Sequence, residues 1–96
     1  MKPSEVFQLH RDEIRQIAEQ NHTSNPRVFG SVLHGNDCDG SDLDILVDPL
    51  PDTTLMDIAR IQNLLQKLTN VTVDVVTPKA LPQSFRDKVI LEALPV

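Results

Sequence analysis

Apolar side chains recur at helical spacing in three segments of the chain, and this pattern predicts three helices. The first is expected over residues 4–22, with Ser4 as its N-cap. The second, capped by one of residues 52–54, ends near residue 69, and the third covers residues 83–93. The residues expected on the inward faces are Val6 or Phe7, His10, Ile14, and Ile17 or Ala18 in the first helix, Leu55, Ile58, Ile61, Leu65 and Leu68 with Leu64 beside them in the second, and Phe85, Val89, Ile90 and Ala93 or Leu94 in the third.

Three further segments alternate between apolar and polar residues or are rich in valine, and these are the expected strands. They cover residues 27–29, 42–48 and 71–77. A turn at 21–26 is predicted before the first strand. The polar loop 32–41 follows that strand, and its composition allows no more than one helical turn. Prolines after the second and third strands are expected to end both.

The predicted order is helix, strand, strand, helix, strand, helix. This order indicates an α+β fold in which a small mixed β-sheet has helices packed on one face. The other face of the sheet is expected to be open. At 96 residues, the chain is expected to form a single domain over residues 1–96.

Composition narrows the classes of function. A formal net charge of −5 argues against direct binding to nucleic acid or to an acidic membrane surface, since both need a surplus of Lys and Arg. There is no Trp or Tyr and there are only three Phe, too few rings for a base-stacking platform. The single Cys38 and the lack of a signal sequence or long apolar run favour a cytoplasmic protein with no membrane contact.

Two aspartates lie in an apolar strand, which is an unusual place for charge. Asp42 and Asp44 are separated by one residue, so both side chains point to the same face of the predicted strand, about 7 Å apart. Two like charges on one face repel, and a cation between them would relieve the repulsion. Carboxylate oxygens on a rigid strand suit Mg²⁺, which completes its coordination with water and substrate phosphates.

Gly30 and Ser31 follow the first predicted strand and have a complementary chemistry. Gly30 allows a sharp turn with close backbone approach, and Ser31 can cap a short helical turn. The free N–H groups and the hydroxyl there can bind an anion. A phosphate-binding corner and a magnesium site close together in the chain indicate a nucleoside triphosphate site.

Asp74 is the only charged residue in the third predicted strand. An aspartate within a valine-rich strand is costly unless it is compensated, although on an edge strand it can simply be solvated. If the third strand lies beside the second, Asp74 reaches the same cations as Asp42 and Asp44. Two Mg²⁺ ions could then promote in-line attack on a phosphate.

Together, Gly30-Ser31, the ten residues that follow, Asp42-Leu43-Asp44 and the later Asp74 resemble the signature of the DNA polymerase β-like nucleotidyltransferases. The chain is most similar to the minimal nucleotidyltransferases, or MNT proteins, of prokaryotes. The likeness extends to residues 73–78 and 90–95, so it covers nearly the whole chain.

The resemblance implies a minimal nucleotidyltransferase fold and a role for each residue of the signature. Asp42 and Asp44 would be Mg²⁺ ligands, and Asp74 would be the third carboxylate, acting as metal ligand or as the base that activates an acceptor hydroxyl. Gly30 and Ser31 would bind the β- and γ-phosphates of ATP. The implied cofactor is Mg²⁺, with two ions, and ATP is the implied substrate.

The resemblance also implies a partner. MNT proteins are commonly antitoxins of HEPN-domain toxins, which are small helical ribonucleases, and they transfer AMP from ATP to a toxin tyrosine. The absence of Tyr from this sequence is compatible with an acceptor on another chain. We therefore expect a hetero-oligomeric complex with a HEPN-family toxin, contacted by exposed apolar residues of the terminal helices.

The sequence departs from the family pattern at Val32 and His34, where many relatives carry arginines. Each missing cation removes charge-assisted bonds of about 1.5–3 kcal/mol. A protonated His34 would partly replace one of them, which makes it a candidate nucleotide-binding residue; the alternative is a solvated loop imidazole. Two other functions stay open: an antitoxin that acts by binding alone, and a transferase acting on a small molecule or an RNA end.

Three other reactive side chains receive no function from their pattern. His10 is expected to pack at the edge of the first helix. Lys79 lies where it could contact a phosphate but is expected to be solvated, and Cys38 lies in the loop without an assigned role.

Overall fold

The computed structural model describes residues 1–96. Its elements are α1 Pro3–Leu9, α2 Arg11–Gln20, β1 Thr23–Phe29, α3 Ser31–His34, β2 Leu43–Pro49, α4 Leu55–Thr69, β3 Val73–Val76, a 3₁₀ helix Pro78–Ala80, α5 Gln83–Glu92 and β4 Leu94–Pro95. None of the helices is both long enough and apolar enough to cross a bilayer.

The four strands form one mixed sheet in the order β3-β2-β1-β4. β1 is antiparallel to β2 and to β4, whereas β2 and β3 are parallel. A parallel pair needs a crossover connection, which α4 provides between β2 and β3. The predicted α+β fold with a mixed sheet is therefore confirmed.

The core lies between one face of the sheet and the helices α2 and α4. α2 packs on β1, and α4 packs on β3 and on α2. Alternate residues of β2 and β3 point into this layer, as the pattern predicted. The buried core residues are Phe7, Ile14, Ala18, Val28, Leu43, Ile45, Val47, Ile61, Leu65, Val73, Val75 and Val96. Leu55 was also expected there, but it is 88% exposed at the first position of α4.

The opposite face of the sheet is not fully open, contrary to expectation. Leu46 alternates with its buried neighbours and so points to this face, yet it has no exposed surface. The 3₁₀ helix lies against β2 here, and Leu81, which follows it, is also buried. The second face is thus covered where β2 and β3 end and open where they begin.

The predicted helix 4–22 is two helices, broken at His10. His10 leaves the helical region, with φ −119° and ψ 22°, and α1 and α2 then pack on different neighbours: α1 on α3 and β2, and α2 on β1 and α4. The apolar residues of segment 4–22 follow one helical pattern, but packing against different neighbours divides the segment into two helices. Ser4 is not the N-cap; Lys2 is, with Pro3 in the first turn, and the Ser4 N–H donates to the Asp37 carboxylate (2.8 Å).

β1 begins at Thr23, within the segment predicted to be a turn. A β-bulge between Ser24 and Arg27 shifts the register against β2, and Asn25 adopts φ 51° inside it. The bulge accommodates Pro26, which could not occupy a regular ladder position. The two-residue β4 was not predicted, since Leu94 and Pro95 are too short a segment to show a strand pattern.

α5 has no buried residue, so the prediction that its apolar side chains face inward is wrong. Phe85 is 44% exposed, and Ile90 and Leu94 are exposed as well. The helix is held instead by Arg86, whose guanidinium donates to the carbonyl oxygens of Lys79 (3.2 Å) and Leu81 (2.9 Å). α5 therefore lies against the protein without contributing a residue to the core.

The outer edge of β3 is covered by side chains of α4. β3 pairs only with β2, so its N–H groups on the other side have no strand partner. The N–H of Val73 donates to Gln66 Oε1 (3.1 Å), and the N–H of Val75 donates to Gln62 Oε1 (3.2 Å). The sheet edge is satisfied within the molecule.

The start of α4 is capped as predicted, by Thr54 among the three candidates. The Asp57 N–H donates to Thr54 Oγ1 (3.2 Å), and the Thr54 N–H donates to the Asp57 carboxylate (2.9 Å). This backbone bond first, and then the side chains of Arg60 and His22, lower the pKa of Asp57 to about 2.

Asp57→Asn is expected to destabilise the protein at neutral pH. It should also make the free energy of unfolding depend less on pH in acid solution. Folding lowers the pKa of the Asp57 carboxylate, so this group stabilises the protein at any pH above 3.8, its ordinary pKa. The stabilisation is lost as the pH falls towards about 2. Urea unfolding between about pH 5 and pH 2.5 measures the loss. The exposed Asp52→Asn is the matched control and should behave as wild type; equal curves for both variants would contradict the assignment.

Candidate functional site

The structure brings the three predicted carboxylates to the open part of the second sheet face. Asp44 of β2 lies directly opposite Asp74 of β3 in the parallel register, so both side chains point the same way. Asp42 immediately precedes β2 and points to the same face as Asp44 by the strand period. Asp42 and Asp74 are exposed, and Asp44 is half-buried between them.

Gly30 lies against the carboxylate of Asp44. The antiparallel register pairs Phe29 with Asp44, and Gly30 then turns the chain into α3 with φ 73°. A Cβ atom at Gly30 would overlap with Oδ2 of Asp44. Only a residue without a side chain allows this approach, so the predicted glycine corner and the predicted metal ligands form one site.

Ser31 is the first residue of α3 and not its cap. Gly30 occupies the N-cap position, and no side chain makes a capping bond there. The Ser31 hydroxyl is therefore not engaged in capping the helix that it begins. This differs from the predicted capping role and leaves the hydroxyl available to a ligand beside Gly30.

The electrostatics of the site follow from its geometry. Burial, followed by the charges of Asp74 and Asp42, raises the pKa of Asp44 to about 6. None of the three carboxylates forms a salt bridge within the protein; the seven that the structure contains all involve other residues. The site therefore concentrates negative charge without a protein cation to balance it.

This set of side chains suits a hard divalent cation that also binds phosphate. No three His, Cys, Asp or Glu side chains converge closely enough to hold a metal ion by themselves. Mg²⁺ is bound in proteins by one or two carboxylates, and it keeps its other positions for water and substrate oxygens. An open, incomplete carboxylate set fits that behaviour.

The stability of the protein without divalent ions should fall as the pH rises from about 4 to about 6. In this window the folded protein keeps on Asp44 a proton that the unfolded chain, with the ordinary pKa of 3.8, releases. After allowance for solvent screening, the loss is about 1 kcal/mol. Urea unfolding in EDTA measures it, and Asp44→Asn should lack this part of the slope; an unchanged slope would contradict it.

His34 lies beside the site but is engaged elsewhere. Its Nε2 is 3.4 Å from the Glu92 carboxylate, which links α3 to α5. Val32, the other departure from the family pattern, packs against the core. Neither residue therefore places a free cation beside Gly30 and Ser31.

A cavity of about 320 Å³ opens between α3, the end of β1 and α5. Sequence reasoning missed the contribution of α5, because it assigned Phe85 and Val89 to the core. Their spacing of one helical turn did indicate a shared face, which proves to be the cavity wall. The residues that line the cavity are Phe29, Gly30, Leu33, His34, Phe85, Lys88, Val89 and Glu92.

The remaining reactive residues form no hydrogen bond or salt bridge with the three carboxylates. Lys79 is exposed on the 3₁₀ helix. Cys38 is an exposed free thiol whose backbone N–H donates to Ser41 Oγ (3.0 Å). His10 Nδ1 lies 3.1 Å from Glu13 Oε1 at the junction of α1 and α2.

Sequence comparison finds a matching family model and several similar proteins. A family model described as "Polymerase beta, Nucleotidyltransferase" matches residues 12–95. The chain is 26% identical to "Putative protein adenylyltransferase MJ0126" of Methanocaldococcus jannaschii over 91 residues, which cover 95% of this chain and 93% of that protein.

Two solved structures share the fold. One, described as "Structure of putative minimal nucleotidyltransferase", is 34% identical, with a TM-score of 0.87 over 97% of this chain and 95% of the other. The second, "Crystal structure of the toxin-antitoxin with AMP-PNP", is 19% identical, with a TM-score of 0.74 over 88% of this chain and 69% of the other. The second likeness concerns the fold alone.

Proposed function

The chain belongs to the polymerase beta nucleotidyltransferase family, and from this premise we propose that it is a protein adenylyltransferase acting as an antitoxin. Membership of the family makes it a nucleotidyltransferase. In the proposal it transfers AMP from ATP to a tyrosine hydroxyl of a HEPN-family ribonuclease toxin and so neutralises the toxin. The name of the relative MJ0126 and the toxin-antitoxin neighbour with AMP-PNP support the two halves of this proposal.

One observation carries the proposal: Asp44 faces Asp74 across the parallel strands while Gly30 touches the Asp44 carboxylate. An arrangement of acids alone would be a poor anion site, and a glycine turn alone would be common. Placed together, they offer a cation site and a backbone surface within reach of one phosphate chain.

Each residue then has a part in the reaction. Asp42, Asp44 and Asp74 are the residues that would hold Mg²⁺. When bound, this cation offsets the negative charge that develops on the phosphate oxygens. Gly30 and Ser31 hold the β- and γ-phosphates through backbone N–H groups and the Ser31 hydroxyl. They position the chain of phosphates so that the α-phosphorus faces the acceptor.

The transfer replaces one phosphorus–oxygen bond by another. The tyrosine oxygen attacks the α-phosphorus of ATP, the bond from that phosphorus to the bridging oxygen of the β-phosphate breaks, and pyrophosphate leaves. Asp74 accepts the proton of the tyrosine hydroxyl. This position suits Asp74 because it is the exposed carboxylate on the edge strand, where an acceptor from another chain can approach.

Several features support a protein acceptor on a separate chain. The sequence has no Tyr of its own. The Cα radius of gyration, 12.3 Å, is that expected of one compact domain of this length, which supports residues 1–96 as a single domain. Leu9 of α1 and Ile90 of α5 are exposed apolar residues that suit contact with a partner.

The proposed place of action is the cytoplasm. The lone Cys38 accords with a reducing compartment of this kind.

Labelled ATP tests the proposal directly. The chain is incubated with Mg²⁺ and a HEPN-family toxin as the proposed partner, using ATP labelled either at the α- or at the γ-phosphate. The α-label is expected on the partner's tyrosine and the γ-label is not, because pyrophosphate leaves. Asp42→Asn should remove the signal. Labelling from γ-ATP, or labelling of RNA or a small molecule in place of protein, would contradict the proposal.

A second candidate is an antitoxin that neutralises by binding alone. It is favoured by one observation: Val32 packs on the core and His34 pairs with Glu92, so the triphosphate corner lacks the cations common in the family. Toxin neutralisation that survives Asp42→Asn would select this candidate, whereas neutralisation lost with the label would select the enzyme.

A further inference from the structure

We propose that the cavity between α3 and α5 binds the nucleoside of the triphosphate, its base and its ribose. This rests on the proposed function, because it takes the phosphates to lie at Gly30 and the carboxylates. The cavity volume of about 320 Å³ is at the lower end of the range of about 300–1,000 Å³ for small-molecule sites.

The position of the cavity supports this assignment. Gly30 both touches the Asp44 carboxylate and lines the cavity, so the two sites share a wall. Asp74, where the acceptor would approach, lies on β3, and the strand order places β3 on the other side of β2 from β1. The cavity is therefore on the side of the phosphate corner and away from the acceptor.

The chemistry of the walls also suits a nucleoside. Phe29, Leu33, Phe85 and Val89 offer apolar and aromatic surface to the faces of a base. Lys88 and Glu92 are polar groups of the wall, and a carboxylate such as Glu92 accepts hydrogen bonds from ribose hydroxyls. His34 holds Glu92 from the α3 side. A mostly apolar slot with few polar groups is typical of a ligand site.

Binding of ATP and of inorganic tripolyphosphate to the full chain, both with Mg²⁺, separates the nucleoside from the phosphates. Wild type should bind ATP about tenfold more tightly than tripolyphosphate. Phe85→Ala should weaken ATP binding about tenfold and leave tripolyphosphate binding within about twofold. Val89→Ala should act in the same direction. Leu91→Ala is the matched control, since Leu91 is on the same helix, 87% exposed and outside the cavity.

The outcomes distinguish this inference from the function on which it rests. Equal affinity for ATP and tripolyphosphate, or equal weakening of both by Phe85→Ala, would overturn the nucleoside site and leave the proposed function standing. So would variants that keep ATP affinity but lose transfer to the partner, since the cavity would then hold the acceptor. Failure of wild type to bind either compound would overturn both. Circular dichroism confirms that each variant is folded.

Discussion

Asp44→Asn is expected to reduce AMP transfer by a factor of roughly 10²–10³. Asparagine has nearly the same shape as aspartate. The change therefore removes the central charge of the three aspartates without altering the strand. Asp44 is the carboxylate flanked by both Asp42 and Asp74 and in contact with Gly30, so in the proposed reaction its charge would serve both the cation and the phosphate corner. Initial rates of label transfer from α-labelled ATP measure the effect.

The same variant should be more stable than wild type without divalent ions. Burial and two neighbouring acids disfavour the charged form of Asp44, and asparagine removes that charge. Asp87→Asn, an exposed residue of α5, is the control and should change neither activity nor stability. A variant that loses activity and also unfolds more easily would show that Asp44 acts through structure and not through charge.

Gly30→Ala is expected to lower both stability and activity. With φ 73° and ψ −146°, Gly30 occupies a region that essentially only glycine adopts, and such strain costs about 1–3 kcal/mol. The added methyl group would also meet the Asp44 carboxylate and displace it. Transfer should therefore fall about as far as in Asp44→Asn.

Gly35→Ala is the matched control for that change. Gly35 has the same φ of 73°, but no atom lies within 4 Å of the methyl group that alanine would add, and its ψ of 20° is accessible to other residues. It should cost about 1 kcal/mol and leave transfer intact. Urea unfolding and label transfer compare the two. Equal activities in both variants would show that contact between Gly30 and Asp44 does not matter to the reaction.

The parts of the fold that follow local patterns were predictable. α4 shows a long apolar stripe behind Thr54, and β2 and β3 alternate cleanly because one face of each is buried. The break at His10 could not be predicted, since it depends on what α1 and α2 each pack against. The start of β1 was missed because Pro26 indicates a turn, and only pairing with β2 shows that a bulge contains it.

The candidate site likewise has features that the local sequence predicts and features that depend on tertiary structure. Asp42, Asp44, Asp74 and Gly30 could be predicted as candidate site residues because charge inside an apolar strand and a glycine at a strand end are anomalies visible in the chain itself. That Asp44 and Asp74 are direct neighbours depends on strand order and register, which the structure supplies. The pairing of His34 with Glu92 joins residues far apart in sequence, and no local pattern indicates it.

The glutamines along α4 also determine how this molecule can meet another protein. With Gln62 and Gln66 occupying the amides of β3, an incoming peptide cannot lengthen the ladder on that flank. On the opposite flank, β4 ends in Pro95, which has no amide hydrogen to offer. Both flanks of the sheet therefore disfavour strand addition, and the helix surfaces are left as the place where the proposed partner would pack its side chains.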